Sequence, residues 1–191
     1  MVFEQTKRIV NRKLRKIGIK VHYRLWKEKY EESWVYEHGH VVHLNPDDRR
    51  SSTLAIESME HLLLHEIAHI VVNDYLLKKI KGSEEAQKLF GDLARRYRRD
   101  LKRKYKNKDF ISTYAQVHPE DNFAEVFAVF ANLEGDFKKI RKFLRKSRKS
   151  NLVLKQMFWM RDFLESIKEK QRKGKRHYHK VISKRRFNAK P

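Results

Sequence analysis

Apolar residues at Phe3, Ile9, Val10 and Leu14 recur at helical spacing among basic ones, which predicts a basic amphipathic helix ending near Gly18. Ile19, Val21, Tyr23 and Leu25 then alternate with Lys20, His22 and Arg24, the pattern of a half-buried strand. Trp34 to Leu44 reads as a hairpin turning at Glu37-His38-Gly39, with His40 to Leu44 as its second strand and Asn45-Pro46-Asp47-Asp48 closing it. The periodicity is helical after that. A first helix is expected from about Thr53 to Ile80, stopped at Gly82. A second is capped by Ser83, with Glu84 and Glu85 in its first turn and an apolar stripe of Phe90, Leu93, Tyr97 and Leu101. Beyond a loop from about Asn107 to Pro119, a helix runs to Gly135. A short one carries Phe137, Ile140 and Leu144, and a last one spans Leu152 to Ile167. A small sheet followed by packed helices is an α+β arrangement.

Length changes this picture little: 191 residues suit one domain with a core of its own. That domain is expected over 1–169. From Lys170 to Pro191 the apolar periodicity fades, ten residues are Lys or Arg and none is Asp or Glu, so the stretch reads as a mobile basic tail. Without cysteine, disulfides and thiolate metal sites are excluded, and any metal must rest on histidine and carboxylate.

Charge says more about partners. Lys and Arg number 46 against 24 Asp and Glu, a formal net charge of +22, which favours nucleic acid, acidic proteins or anionic surfaces. Arg95 to Lys108 alone holds nine basic residues against Asp100. A heat-adapted surface would pair the signs rather than leave such an excess. No zinc finger, aromatic RNA-binding signature or helix-turn-helix pattern is present, so the expected contact is with phosphate, independent of sequence. Met1 to Lys16 never forms the apolar core of a signal peptide, and no run approaches the roughly 18 apolar residues of a membrane span. A cytoplasmic protein with no membrane span is the expectation.

The sharpest chemical feature is His65-Glu66-Ile67-Ala68-His69. Residues four apart on a helix share a face, so two imidazoles from one rigid turn can bind the same zinc ion. Glu66, one step round, is placed to take a proton from a metal-bound water. The motif sits between Leu62-Leu63-Leu64 and Ile70-Val71-Val72, an apolar setting in which two histidines and a glutamate are costly without partners.

A third protein ligand is needed, with one position left for water. Asp121 and Glu125 are four apart and share a face of the helix whose apolar side carries Phe123, Val126, Phe127 and Phe130. That helix can lie against the first and point a carboxylate at the metal. Glu120 competes with both, although it is rotated ~100° from their shared face.

Together the two segments resemble the gluzincin metallopeptidases, specifically the catalytic domain of anthrax lethal factor and the Pro-Pro endopeptidases. In that family a tyrosine precedes by seven residues a glutamate ligand that opens a Glu-x-Phe-Ala-Glu-like helix. Here Tyr114 takes the tyrosine place, Asp121 the ligand place, and Asn122-Phe123-Ala124-Glu125 continues the pattern. The resemblance covers about Trp34 to Phe130. It implies a zincin-like fold and a zinc-dependent metalloendopeptidase with one zinc on His65, His69 and Asp121. It further implies Glu66 as general base, Tyr114 as hydrogen-bond donor to the oxyanion, and Glu125 as acceptor of the free N–H of a zinc-bound imidazole. By the same resemblance His40 to Leu44 is the edge strand that pairs with an extended peptide substrate. Asp121 departs from the family's glutamate and is one methylene shorter, so the two helices must approach about 1 Å closer, or the site must open slightly, to keep a zinc–oxygen distance near 2.0–2.2 Å.

Other histidines draw blander expectations. His61 reads as a partly exposed polar position, His118 as a cap in the loop before its helix, and His38, His40 and His43 as exposed hairpin residues. Met157 to Met160 reads as core or as a lid over the groove. The rival to the peptidase reading is a basic, nucleic-acid-associated protein on a zincin scaffold, either a regulatory protease or an inactive binding module.

Overall fold

The computed structural model describes residues 2–29, 33–36, 40–48, 53–76, 84–92 and 106–187, with side chains as far as residue 173. Helix α1 spans Val2–Lys16; strands β1, β2 and β3 span Arg24–Lys27, Trp34–Tyr36 and Val41–Leu44. Helix α2 spans Met59–Val71 and runs into a π-helical turn over Val72–Leu76. Helices α3 (Glu84–Phe90), α4 (Pro119–Asn132), α5 (Phe137–Lys146) and α6 (Asn151–Phe187) follow. Short 3-10 turns at Asn107–Asp109 and Tyr114–Gln116 precede α4. The class is α+β, compatible with a zincin-like fold. Among the described residues no helix is long and apolar enough to cross a membrane.

The sheet has the order β1-β3-β2, β3 parallel to β1 and antiparallel to β2. This corrects the expected edge strand, because His40 to Leu44 lies in the middle with both sides paired. Its Val42 and Leu44 are fully buried beneath α2, which makes it the natural centre. Pairing of β1 begins only at Arg24, whose N–H reaches the His40 carbonyl at 2.8 Å. Residues 19–23, expected as strand, are instead held by α6: the Gln171 amide donates to the Lys20 carbonyl at 2.9 Å and accepts from its N–H at 3.3 Å. A side-chain amide thus satisfies backbone groups that a neighbouring strand would otherwise bind.

Helix α2 starts six residues later than expected, because Ser58 caps it through a 3.1 Å bond from the His61 N–H. Every residue from His61 to Ala68 is buried, the polar His61, His65 and Glu66 among them. Helix α4 starts at Pro119 behind the cap residue His118, whose ring accepts from the Glu120 N–H at 3.1 Å. Gly135 ends the turn that follows, at φ +69°, where an added Cβ would lie 3.1 Å from the Phe130 ring. Helix α6 buries Val153, Met157, Met160, Leu164 and Ile167, and continues beyond the expected end to Phe187. Long basic and amide side chains are good helix formers, so fading apolar periodicity need not end a helix already nucleated by packing. The Ser83 cap, the stripe residues Leu93, Tyr97 and Leu101, and most of the basic run from Arg95 lie outside the described residues.

Phe123 ties α4 to its neighbours. Its ring meets Phe90 of α3 at 5.5 Å and Trp159 and Phe163 of α6 at 6.2 and 5.9 Å, and it is fully buried. Phe123→Ala is expected to cost about 3–5 kcal/mol, the usual range for emptying such a site, read from the shift in urea midpoint.

Candidate metal centre

Helix α2 packs against α4 more extensively than any other pair of elements. The facing stripes are His61, His65 and His69 on α2, and Asp121, Glu125, Ala128 and Asn132 on α4, each spaced at three or four residues. Ala68, beside the first stripe, and Ala128, on the second, are both fully buried.

His65 Nε2 and His69 Nε2 stand 3.4 Å apart. Asp121 Oδ1 lies 3.8 Å from the first and 3.9 Å from the second. These three residues form a group able to hold a metal ion. One point can lie about 2.1–2.2 Å from all three atoms, the length of zinc–nitrogen and zinc–oxygen bonds. His65 is buried, while His69 and Asp121 are 16% and 15% exposed, so the group opens to solvent on one side. The donor set of two neutral-capable imidazoles and a carboxylate suits zinc.

Each ring is fixed from behind. His65 Nδ1 donates to Glu125 Oε1 at 2.9 Å, and His69 Nδ1 donates to Glu120 Oε1 at 2.8 Å. With the proton on Nδ1, the lone pair of each Nε2 faces the space shared with Asp121. Glu125 also accepts from the Ala55 N–H at 2.8 Å and from His61 Nε2 at 3.0 Å. The Asn132 amide donates to His61 Nδ1 at 2.8 Å and accepts from Lys13 of α1 at 2.6 Å. The donors and acceptors run in one consistent direction, from the Lys13 ammonium to a single buried carboxylate.

The electrostatics follow from burial among acids. Burial alone would lower the His65 imidazole, but the nearby Asp121 carboxylate, the hydrogen bond to Glu125 and the charges of Glu125 and Glu66 raise it to about 10. Burial alone would raise Glu125; its bonds to His61 and His65 reverse that and hold it far below the usual carboxylate range. The metal-free site therefore keeps a proton on His65 at neutral pH, and a metal entering must displace it. Glu66 is buried beside His65 on the same turn of α2. Tyr114, on its 3-10 turn, places its ring 5.3 Å from that of His65.

The structure thus gathers His65, Glu66, His69, Tyr114, Asp121 and Glu125 around one locus. Sequence reasoning missed two members of the surrounding network. His61 is fully buried rather than partly exposed; the signal was its place four residues before His65, on the metal face. Glu120, expected only as a rotated competitor for the metal, is instead the partner of His69 Nδ1. At a helix N-terminus the side chain of the first-turn residue can reach across the helix start, and angular position alone does not exclude it.

A family model described as "Putative zinc-binding metallo-peptidase" matches residues 57–177, which includes both α2 and α4. No curated protein and no solved structure gives a match to the chain.

Proposed function

This chain belongs to that zinc-binding metallopeptidase family, and we propose that it is an endopeptidase hydrolysing peptide bonds with one zinc held by His65, His69 and Asp121. The observation that carries this reading is the triangle of 3.4, 3.8 and 3.9 Å between the three candidate ligand atoms, with each imidazole tied at Nδ1 to its own glutamate. Bound zinc would lower the pKa of a coordinated water toward about 7 and polarise the scissile carbonyl. With the metal bound, Glu66 would be the base that accepts the proton of the attacking water and the acid that returns it to the amine nitrogen as the C–N bond breaks. Tyr114 would donate its phenolic hydrogen bond to the developing oxyanion. Glu125 and Glu120 keep the rings in the productive tautomer. The seven-residue interval from Tyr114 to Asp121 links this arrangement to the lethal factor and Pro-Pro endopeptidase pattern. The complete set of His65, Glu66 and His69 favours hydrolysis over an inactive scaffold.

Metal analysis of the purified protein, joined to digestion of a peptide library, tests the reading. About one zinc per chain and a defined set of cleavages are expected from the parent, with both lost in His65→Ala and His69→Ala. A parent that takes up no zinc would overturn it. Tyr114→Phe should keep its zinc and lose about 100- to 1,000-fold in kcat, with KM little changed, as loss of one oxyanion donor does. An unchanged kcat in steady-state assays would remove Tyr114 from the mechanism.

A further inference from the structure

Three concavities of 260, 340 and 360 Å³ join along the segment 18–24, sharing Arg15 and Lys20 at one junction and His22 and Tyr23 at the other. Their charged walls are Lys7, Arg15, Lys20, Arg24, Lys168 and Arg172, and no Asp or Glu lines any of them. At its rim Lys168 is paired with Glu165 at 3.1 Å and His40 with Asp74 at 3.2 Å, which leaves Lys7, Arg15, Lys20, Arg24 and Arg172 as the basic walls. His65, His69 and Asp121 do not line these concavities, so the groove is separate from the candidate metal centre.

At Arg24 the groove meets the outer face of the sheet. Strand alternation puts Arg24 and Trp26 on that face of β1, and the register sets Trp26 and Trp34 on either side of His43. Trp34 stacks on His43 at 3.8 Å and 7°. Trp26 is 65% exposed and Trp34 39%, while the other face of the sheet is buried through Val42 and Leu44. A soluble surface rarely spends two tryptophans on an open sheet face beside a channel of unbalanced positive charge.

We propose that this groove and aromatic row form a binding surface for single-stranded nucleic acid. Its phosphates follow the basic groove and its unpaired bases stack on Trp26 and the Trp34–His43 pair. Charge complementarity selects a polyanion, in line with the net charge of +22. The rings select among polyanions. A duplex hides its base faces and an acidic peptide has none, whereas every unpaired base offers a π-face. Phosphate contact and stacking act on every nucleotide alike, so the expected binding is indifferent to sequence. The surface is independent of the peptidase reading and does not need zinc.

The full-length protein is titrated with a 20-mer of oligo-dT, a duplex of equal length and poly-glutamate, following tryptophan fluorescence and fluorescence anisotropy at several salt concentrations. Oligo-dT should quench tryptophan emission and bind at least about tenfold more tightly than the other two. Trp26→Ala, at an exposed position that does not support the core, should weaken oligo-dT binding about tenfold, with little change in salt slope. The double variant Lys20→Glu, Arg24→Glu should instead reduce that slope by about 1–2, as loss of two phosphate contacts on a single strand does. Duplex or poly-glutamate bound as tightly as oligo-dT, or oligo-dT binding unmoved by Trp26→Ala, would overturn the proposal. Circular dichroism of each variant separates loss of binding from loss of fold.

Discussion

Glu66→Gln is expected to leave the zinc content at the parental level and to reduce peptide hydrolysis by about 100- to 10,000-fold, the range that general-base catalysis contributes. The amide is nearly isosteric with the carboxylate, so packing in the buried turn of α2 is retained. Glu66 is not among the three atoms grouped for a metal ion, and its loss should not empty the site. What disappears is the group that accepts a proton from water and delivers it to the leaving amine. The measurement is zinc per chain together with single-turnover cleavage of a fluorogenic peptide. Hydrolysis at the parental rate would show that the proton acceptor is another group.

Asp121→Ala should lower zinc affinity by well over 100-fold, since it removes one of three ligands where loss of a supporting carboxylate costs roughly 10–100-fold. Glu125→Ala and Glu120→Ala should fall in that lower range, because each withdraws the acceptor from an imidazole Nδ1–H without removing a ligand atom. Glu125→Ala should be the more damaging of the two. Glu125 is fully buried and also receives His61 and the Ala55 N–H, which would all lose their partner at once, whereas Glu120 is partly exposed and serves His69. A competition titration with a chromophoric chelator gives the three affinities, and thermal denaturation of the metal-free variants separates the fold penalty of Glu125→Ala from its effect on the site. Equal losses for Asp121→Ala and Glu120→Ala would show that Asp121 is not a ligand.

The pairing of the two histidines was legible because its geometry is local: His65 and His69 are four residues apart, and the helix alone puts them on one face. Asp121 was reachable only through the register of a resemblance, since nothing in the chain between them specifies how α2 and α4 meet. Glu125 beside His65 follows from the same face-sharing as Asp121. Glu120 beside His69 does not, because it depends on how the first turn of α4 overhangs α2.

The sheet shows the same division. Alternation in Val41-Val42-His43-Leu44 identified a strand with one buried face, and β2 pairs with it as the hairpin pattern implied. That this strand is central, flanked by β1 as well, is decided by a long-range pairing that alternation cannot express. The boundary at Arg24 is likewise tertiary: Ile19 to Tyr23 has strand-like alternation, but Gln171, far along the chain, occupies the backbone groups of Lys20.

By itself, then, the sequence determined the α+β class, the main helices, the two histidines on one helix face with a glutamate beside them, and the strongly positive charge, all of which depend on spacing of a few residues or on composition. Only the tertiary structure decided which carboxylate meets which imidazole, that His61, Asn132 and Lys13 stand behind Glu125, that β3 is not an edge, and that basic residues from α1, β1 and α6 line one groove. Those features join residues tens to more than a hundred positions apart, and such contacts arise from how buried faces pack, which local periodicity does not encode.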